Sequence, residues 1–486
     1  MRILFSLETT LTAQSFDTLV RELGSRGHEV VLGYHETRPH RWGAELLAEL
    51  ERELPTVRVE LIPEPATDRW LEFGADVRSA LDLFQFLEPR FNETYRARSW
   101  RRAPKLARAV AGRRLGRTAV SRRLLGAVLR TIDSALPPNP EIEAYLRDVA
   151  PDVVLFSPYL GLRSVQPEYL RAARDLGIRT GICVKSWDNL SSKSLVRPIP
   201  DRLFVWNEIQ RGEAVRLHRV PADRVSVTGA QCFDEWFSWQ VEPREEFCRR
   251  VGLDPATPFL LYTCCAPWTK QLELPFIRRW VEAFRAGGDD LLARTNVVVR
   301  PHPKRPDEIR QTDLADLPGV VVFPTDGKAP VDAAAKADFF DSIVHSAAVV
   351  GLNTSAMIDA SIAEKPVLTV LDPEYERLQH GTLHFRHLLE AGGGLLHVAE
   401  DLDEHVRQLG RAVRGEDDSA ERARAFLQAF IRPYGLDVAA TGIFADEVER
   451  LATAPASGRR GSALPARALR LALAPIATRS ARYVVD

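Results

Sequence analysis

Short apolar runs alternating with helical periodicity constrain this chain more than any other feature, and the alternation starts twice. Residues 2–7, 28–33, 57–62, 151–156, 177–184, 202–206 and 224–229 read as apolar strands, with helical patterns between several of them, as at 16–27, 166–176 and 208–218. Near-continuous apolar strands separated by helices imply a parallel sheet covered on both faces, because each parallel pair needs a crossover and the crossovers bury the sheet. A polar, proline-interrupted stretch near 240–258 breaks the series. It then restarts with strands at 259–263, 296–299, 319–323, 347–352 and 366–371 and helices at 273–285, 338–345 and 355–364. Helices at 400–414 and 418–451 close the pattern, and 452–486 reads as a basic tail. The expectation is an α/β protein of two Rossmann-like domains, 1–240 and 250–450, facing each other across a cleft.

Charge excludes more than it identifies. The formal net charge over 486 residues is −1, so no global field marks a nucleic-acid partner. Five cysteines (183, 232, 248, 264 and 265) show no Cys-x-x-Cys spacing, which argues against a disulfide framework or a zinc site and fits a reducing cytosol. Met1 to Glu8 is too short an apolar run for a secretory signal, and no stretch reaches the roughly eighteen apolar residues of a membrane span. The distribution of charge matters more than its sum. Between Thr94 and Ile132 stand twelve Arg or Lys and no acid, interleaved with Trp100, Leu106, Val110, Leu115, Val120, Leu124 and Leu125. That pattern predicts a basic amphipathic helical insertion near 90–135. The tail repeats it, and either segment suits an anionic membrane surface or an anionic acceptor.

Chemistry concentrates after strands. Val297-Val-Val-Arg300-Pro-His302-Pro303-Lys304 carries a strand directly into a proline-stiffened loop that displays three cationic or hydrogen-bonding heads together. Val349-Val-Gly-Leu-Asn353-Thr354-Ser355 carries a second strand into a helix start, where free backbone N–H groups and the dipole favour a phosphate. Thr263-Cys264-Cys265-Ala266-Pro-Trp-Thr-Lys270 follows the first strand of the second series. Its small residues, Cys265 and Ala266 among them, would let backbone approach a phosphate that Lys270 could pair. In the first series, Val184-Lys-Ser-Trp187-Asp188-Asn189-Leu-Ser-Ser-Lys193 places a carboxylate beside an aromatic and a lysine, a place for a general base; an Asx turn anchored by Trp187 is the plainer reading. His380, His384 and His387 would share one face if their segment were helical, but no acid cluster accompanies them. A polar loop closing the cleft fits His380 and His384 better than a metal site, and no metal is expected.

These motifs together resemble a GT-B-type glycosyltransferase, closest in pattern to the CDP-glycerol glycerophosphotransferase and capsule-polysaccharide transferase group. That group carries a Trp-His-Gly loop with a lysine six residues after the Trp. Trp187 and Lys193 match this spacing, while Asp188 and Asn189 stand where His and Gly are expected. Arg202-Leu-Phe-Val-Trp-Asn-Glu208, Val227-Thr-Gly-Ala-Gln-Cys-Phe-Asp234, Arg300-Pro-His-Pro303, Asn353-Thr-Ser-Ala-Met-Ile-Asp359 and Glu364-Lys-Pro366 extend the resemblance across roughly 150–375. The resemblance implies a nucleotide-activated donor whose phosphate meets His302, Thr354 and Ser355, with the base role passing to Asp188. Replacement of the loop histidine favours sugar transfer over glycerol-phosphate transfer.

The resulting expectation is a cytoplasmic, metal-independent glycosyltransferase with no cofactor beyond its nucleotide-sugar donor. Asp188 and His302 are the candidate catalytic residues, and the acceptor is a polysaccharide or glycolipid of the cell envelope. The basic segments would offer a peripheral hold on the inner face of the membrane. The alternatives are CDP-polyol phosphotransfer, a nucleotide-sugar 2-epimerase, and a non-catalytic nucleotide-binding module.

Overall fold

The computed structural model describes residues 1–35, 41–65, 68–89, 91, 93–113, 116, 118–161, 164–266, 272–454 and 464–482. Its contacts divide the chain into two compact units, Met1–Cys232 with Ala439–Asp486, and Phe233–Val438. Each is built on one parallel sheet.

The first unit's sheet contains β1 (Arg2–Leu7), β2 (Glu29–Tyr34), β3 (Val57–Leu61), β4 (Val153–Ser157), β5 (Arg179–Cys183), β6 (Arg202–Val205) and β7 (Val225–Val227). They lie in the order β3-β2-β1-β4-β5-β6-β7. Chain order therefore runs outward from β1 in one direction and from β4 in the other, so the topological switch lies between β1 and β4. Strand burial explains the composition: Val153 to Phe156 and Ile3 to Phe5 are fully buried, as a sheet covered on both faces requires.

The second unit's sheet contains β8 (Phe259–Thr263), β9 (Asn296–Arg300), β10 (Val320–Val322), β11 (Ala348–Val350), β12 (Val367–Val370) and β13 (His397–Ala399), in the order β10-β9-β8-β11-β12-β13. Its switch lies between β8 and β11. On one face, Phe276, Ile277, Trp280, Val281 and Phe284 of the Leu274–Ala286 helix pack on Leu260, Tyr262, Val297 and Val299.

Three expectations are corrected. The predicted helix over 418–451 is two helices, Ser419–Phe430 and Ala440–Thr453, because Pro433 supplies no N–H and Gly435 (φ 128°) turns the chain. The second of these does not close the second domain. Its Phe444, Ala445, Val448 and Leu451 enter the first unit's core, where Phe444 meets Phe204 (5.0 Å between ring centroids) and Phe16 (6.4 Å). Nor is the tail separate from the first unit: its Leu464–Arg482 helix, of the kind the sequence suggests, packs Leu473 and Ala477 with Phe73, Val77, Leu81 and Leu136, and Arg470 Nε donates to the Ala135 carbonyl at 2.5 Å.

The basic insertion forms helices Glu93–Arg102, Lys105–Gly112 and Ala119–Ala135. A helix the sequence reading did not assign, Arg69–Phe86, carries them. Asp68 caps it by accepting from the Trp70 N–H at 2.7 Å, and a continuous run from Val77 to Phe86 is buried. Among the described residues no helix is long and apolar enough to cross a membrane.

Candidate functional site

In the second unit, the loops after β8, β9 and β11 leave three adjacent strands at the same, carboxyl-terminal edge of the sheet, around its switch point. Ligands of open α/β sheets bind in such crevices. Arg300, Cys265 and Asn353 to Ser355 stand in or beside these loops. Gly351 shows why the strands approach so closely: a Cβ would lie 3.0 Å from the Thr263 carbonyl oxygen and 3.1 Å from its hydroxyl. Beside it, the backbone N–H of Cys264 donates to the Arg300 carbonyl (3.1 Å), and that of Asn353 donates to Cys265 Sγ (3.2 Å).

Arg300 is 7% exposed. Its Nη1 donates to the Asp338 carbonyl at 3.3 Å, its guanidinium lies 5.0 Å from the Phe339 ring centre, and buried Nη2 has no protein partner. Burial without a salt bridge brings its pKa down to about 10. A cation with one donor left over is poised for an anion.

His302 is half-buried, and its Nδ1 accepts from the Lys304 backbone N–H at 3.1 Å. Burial first, then the charges of Lys304 and Arg305, lower its pKa to about 4. At neutral pH it is therefore an uncharged imidazole whose proton sits on Nε2. It offers a hydrogen bond rather than the positive charge that the sequence suggests. Lys304 is exposed and Pro303 half-buried.

Asn353 is committed inward. Its Nδ2 donates to the Leu378 carbonyl and to Thr382 Oγ1 (3.2 Å) and lies 3.4 Å from His384 Nε2, while Oδ1 has no partner. It ties this loop to 378–384. Thr354 is buried and Ser355 exposed. Ser355 is the N-cap of a helix of only seven residues, Ala356–Ile362, and its side chain makes no cap bond.

Burial keeps the Cys264 and Cys265 thiols protonated by pushing both pKa values up. Glu273, unassigned from sequence, accepts from the Cys265 N–H (2.7 Å) and the Tyr262 hydroxyl (2.9 Å), and burial raises its pKa. Ala266 is half-buried, and Lys270 lies outside the described residues. The histidines do not share a helical face. His380 precedes the Phe385–Glu390 helix and packs its ring on Phe385, His384 caps that helix, and His387 contacts Phe430. Among the described residues no group of three His, Cys, Asp or Glu is placed to hold a metal ion.

In the first unit, the Trp187–Lys193 loop is tightly tied. Asp188 is 6% exposed. Its Oδ1 accepts from Ser186 Oγ (2.7 Å), and its Oδ2 from Ser192 Oγ (2.7 Å) and Lys193 Nζ (3.2 Å). Asn189 Oδ1 accepts from the Lys185 N–H at 3.2 Å, and Trp187 is buried. Arg98, from the basic insertion, donates to the Ser192 carbonyl. The bonds make this loop an ordered structural turn as well as a candidate site.

The switch point of this sheet lies elsewhere, between Glu8 after β1 and Ser157–Gly161 after β4. The Glu8 N–H donates to the Ser157 carbonyl (3.1 Å), and a Cβ on Gly161 would lie 2.5 Å from Glu8 Oε1. Burial raises the Glu8 pKa, the charge of Lys185 lowers it, and Glu64 raises it again. A buried carboxyl group with a raised pKa at a sheet's switch point is a candidate functional acid or base. Its sequence signal, an acid directly after the first strand, is visible only once the strand order is known.

No family model matches the sequence, and no curated protein does. Solved structures do match over nearly the whole chain. A UDP-GlcNAc 2-epimerase from Methanocaldococcus jannaschii aligns with 92% of this chain and 99% of its own at 13% identity and a TM-score of 0.50. A glycosyltransferase from Rickettsia africae ESF-5 aligns with 93% and 99% at 7% identity and 0.52. The UDP-GlcNAc 2-epimerase from Neisseria meningitidis, bound to UDP-GlcNAc, aligns with 92% and 100% at 12% identity and 0.50. At such identities the likeness is one of fold: two parallel-sheet α/β domains of GT-B type.

Proposed function

We propose that the second unit binds a nucleoside-diphosphate sugar and that the protein transfers its sugar to a polysaccharide or glycolipid acceptor. One observation carries the reading: the loops after β8, β9 and β11 meet at the switch point, where Arg300 Nη2, buried and unpaired, stands in the same loop as the Nε2–H of a neutral His302. In transfer, the acceptor oxygen forms a bond to the anomeric carbon as the bond from that carbon to the diphosphate oxygen breaks. Negative charge grows on the diphosphate, where donors fixed in advance are most effective. The guanidinium of Arg300, the imidazole N–H of His302 and exposed Lys304 would supply such donors, together with the hydroxyls of Thr354 and Ser355 in the loop after β11.

A base must take the acceptor's hydroxyl proton. Glu8, at the first unit's switch point with its pKa raised, fits that role better than Asp188, whose oxygens already serve Ser186, Ser192 and Lys193. CDP-polyol phosphotransfer rests on the sequence resemblance alone, and the replacement of the loop histidine by Asp188 weighs against it. Epimerisation at C2 of the sugar is the second reading, favoured by the names of several full-length structural neighbours.

Incubation with UDP-GlcNAc in deuterated buffer, followed by proton NMR, separates the two. Deuterium at C2 and a second hexosamine establish epimerisation. UDP release that depends on added acceptor and leaves C2 protonated establishes transfer. Failure of UDP, CDP, GDP and TDP sugars alike to raise the melting temperature would refute nucleotide binding itself, since ligand at about a hundred times its Kd adds roughly 2.7 kcal/mol.

A further inference from the structure

The first unit holds a cavity of about 380 Å³ lined by the basic insertion and by the segment that follows the Trp187–Lys193 loop. The Arg69–Phe86 helix supplies Leu81, Phe84 and Gln85 to its wall, and the Ala119–Ala135 helix lays a second wall against it. Leu195–Arg197 and the end of the Glu208–His218 helix complete it. Six arginines line this space, Arg122, Arg123, Arg130, Arg197, Arg216 and Arg219, against a single carboxylate, Glu88.

That imbalance is not the pattern of a solvated basic face. Arg197 is 6% exposed, and its buried Nε has no partner, while Nη1 donates only to the carbonyl of the preceding residue, Val196, at 2.6 Å. His218 holds the segment in place: its Nδ1 accepts from the Val196 N–H (3.1 Å) and its Nε2 donates to the Leu190 carbonyl (2.7 Å). Arg122 and Arg130 are half-buried, and a Cβ at Gly126 would lie 3.1 Å from Arg130 Nη1, so the glycine makes room for that guanidinium. Nearby, Arg171 shows what a buried arginine of this unit looks like when its needs are met within the protein, bonded to Glu168 and Asp133 at 2.5 Å each. Arg197 has no such carboxylate. Burial above all, and then the charge of Arg130, lowers its pKa to about 10; Asp133 partly offsets this and Arg219 adds to it. Like charges gathered in a partly dry space repel unless a counter-charge joins them.

We infer that this cavity is a second anion site that takes a phosphate or diphosphate ester, clasped by Arg197 and Arg130 inside and by Arg123 and Arg219 at the rim. Guanidinium groups suit phosphate because they present paired N–H donors in a plane. The same helix also shows solvent a stripe of Val120, Leu124 and Val128, each more than half exposed. The ester therefore has two sources, a soluble phosphate compound or the headgroup of a lipid whose chain would lie along that stripe. The site stands independently of the nucleotide reading, being confined to the first unit.

The test uses the full-length protein in a His302→Ala/Lys304→Ala background, which weakens phosphate binding by the second unit, so that any change on substituting the first unit's arginines reports on the cavity. Titration calorimetry with sodium pyrophosphate, and flotation with phosphatidylcholine vesicles with and without phosphatidic acid, distinguish the two sources. Binding of pyrophosphate, weakened roughly ten-fold or more by Arg197→Gln with Arg130→Gln, is the result expected for a soluble ester. Flotation that needs phosphatidic acid, is competed by pyrophosphate and is lost in Arg123→Glu with Arg219→Glu is that expected for a headgroup. The second pair, exposed at the rim, keeps the test alive should the buried pair fail to fold. Absence of binding to either probe, or binding unchanged by both pairs of substitutions, would overturn the assignment.

Discussion

If a diphosphate sits against His302, nucleotide affinity must depend on pH in a way fixed by that ring. In the free protein its pKa is about 4, against an ordinary 6.5, chiefly because burial disfavours the imidazolium. A bound diphosphate supplies the counter-charge that burial withholds. Recovery of the ordinary value in the complex means that the complex binds a proton the free protein does not. Affinity then rises as pH falls from 6.5 towards 4. Between pH 7.5 and 5.5 the gain is about ten-fold, or roughly 1.4 kcal/mol, since each pKa unit is worth about 1.36 kcal/mol. The ligand should be an intact nucleotide sugar, whose diphosphate is doubly esterified and lacks the terminal phosphate ionisation near pH 6. Calorimetry at constant ionic strength, in buffers of differing ionisation enthalpy, measures affinity and proton uptake together. Glu273 also has a displaced pKa at this edge, so His302→Gln, which keeps an N–H but does not titrate, is the control. Affinity flat across this range, or a slope that survives His302→Gln, would refute the placement of His302 against the phosphate.

Four other outcomes follow from the packing. Glu8→Gln should lower turnover about 10²–10⁴-fold with an unchanged melting temperature, as loss of a general base does; equal loss in Asp188→Asn without destabilisation would return the role to Asp188. Asp188→Asn should instead cost about 1–3 kcal/mol in urea unfolding, because an amide cannot accept from both serines and pair Lys193. His405, fully buried with neither ring nitrogen bonded, has its pKa lowered to about 3, so its contribution is intact above pH 6.5 and is lost as pH falls towards 3. His405→Leu should therefore unfold with a shallower pH dependence, gaining about 2 kcal/mol on the natural protein between pH 7 and 5. Phe444→Ala, which empties a position between Phe16 and Phe204, should destabilise the first unit by about 3–5 kcal/mol in chemical denaturation.

The strands were legible because burial on both faces writes itself as short runs such as Val297–Val299 and Val153–Phe156, whose length and β-branched residues, rather than any periodicity, mark them as strands. β13 escaped notice because it is three residues long, two of them half-buried, just after the turns of Gly392–Gly394. The loops after β8, β9 and β11 were legible for a local reason: strand, motif and loop are contiguous in sequence. Glu8 was not, since its place depends on β1 lying beside β4, nearly 150 residues onward, and strand order leaves no local trace. The same holds for the docking of Ala440–Thr453, whose apolar stripe says that it is covered but not by what. The state of His302 is a further case. Sequence shows a histidine between two prolines; only its enclosure beside Lys304 and Arg305 makes it neutral.

The return of the chain to its first unit has a consequence at the ribosome. After β7 emerges, about 200 residues of 233–438 must be synthesised before Phe444 and its neighbours can reach the core they complete. At ~5–20 residues per second that interval is roughly 10–40 s. Throughout it the second unit, continuous in sequence, can mature on its own, while the first waits with an apolar face of its sheet uncovered. The first unit's core is thus completed from the far end of the chain, and its apolar surface at that face stays open to non-native contacts until residues 440–453 arrive.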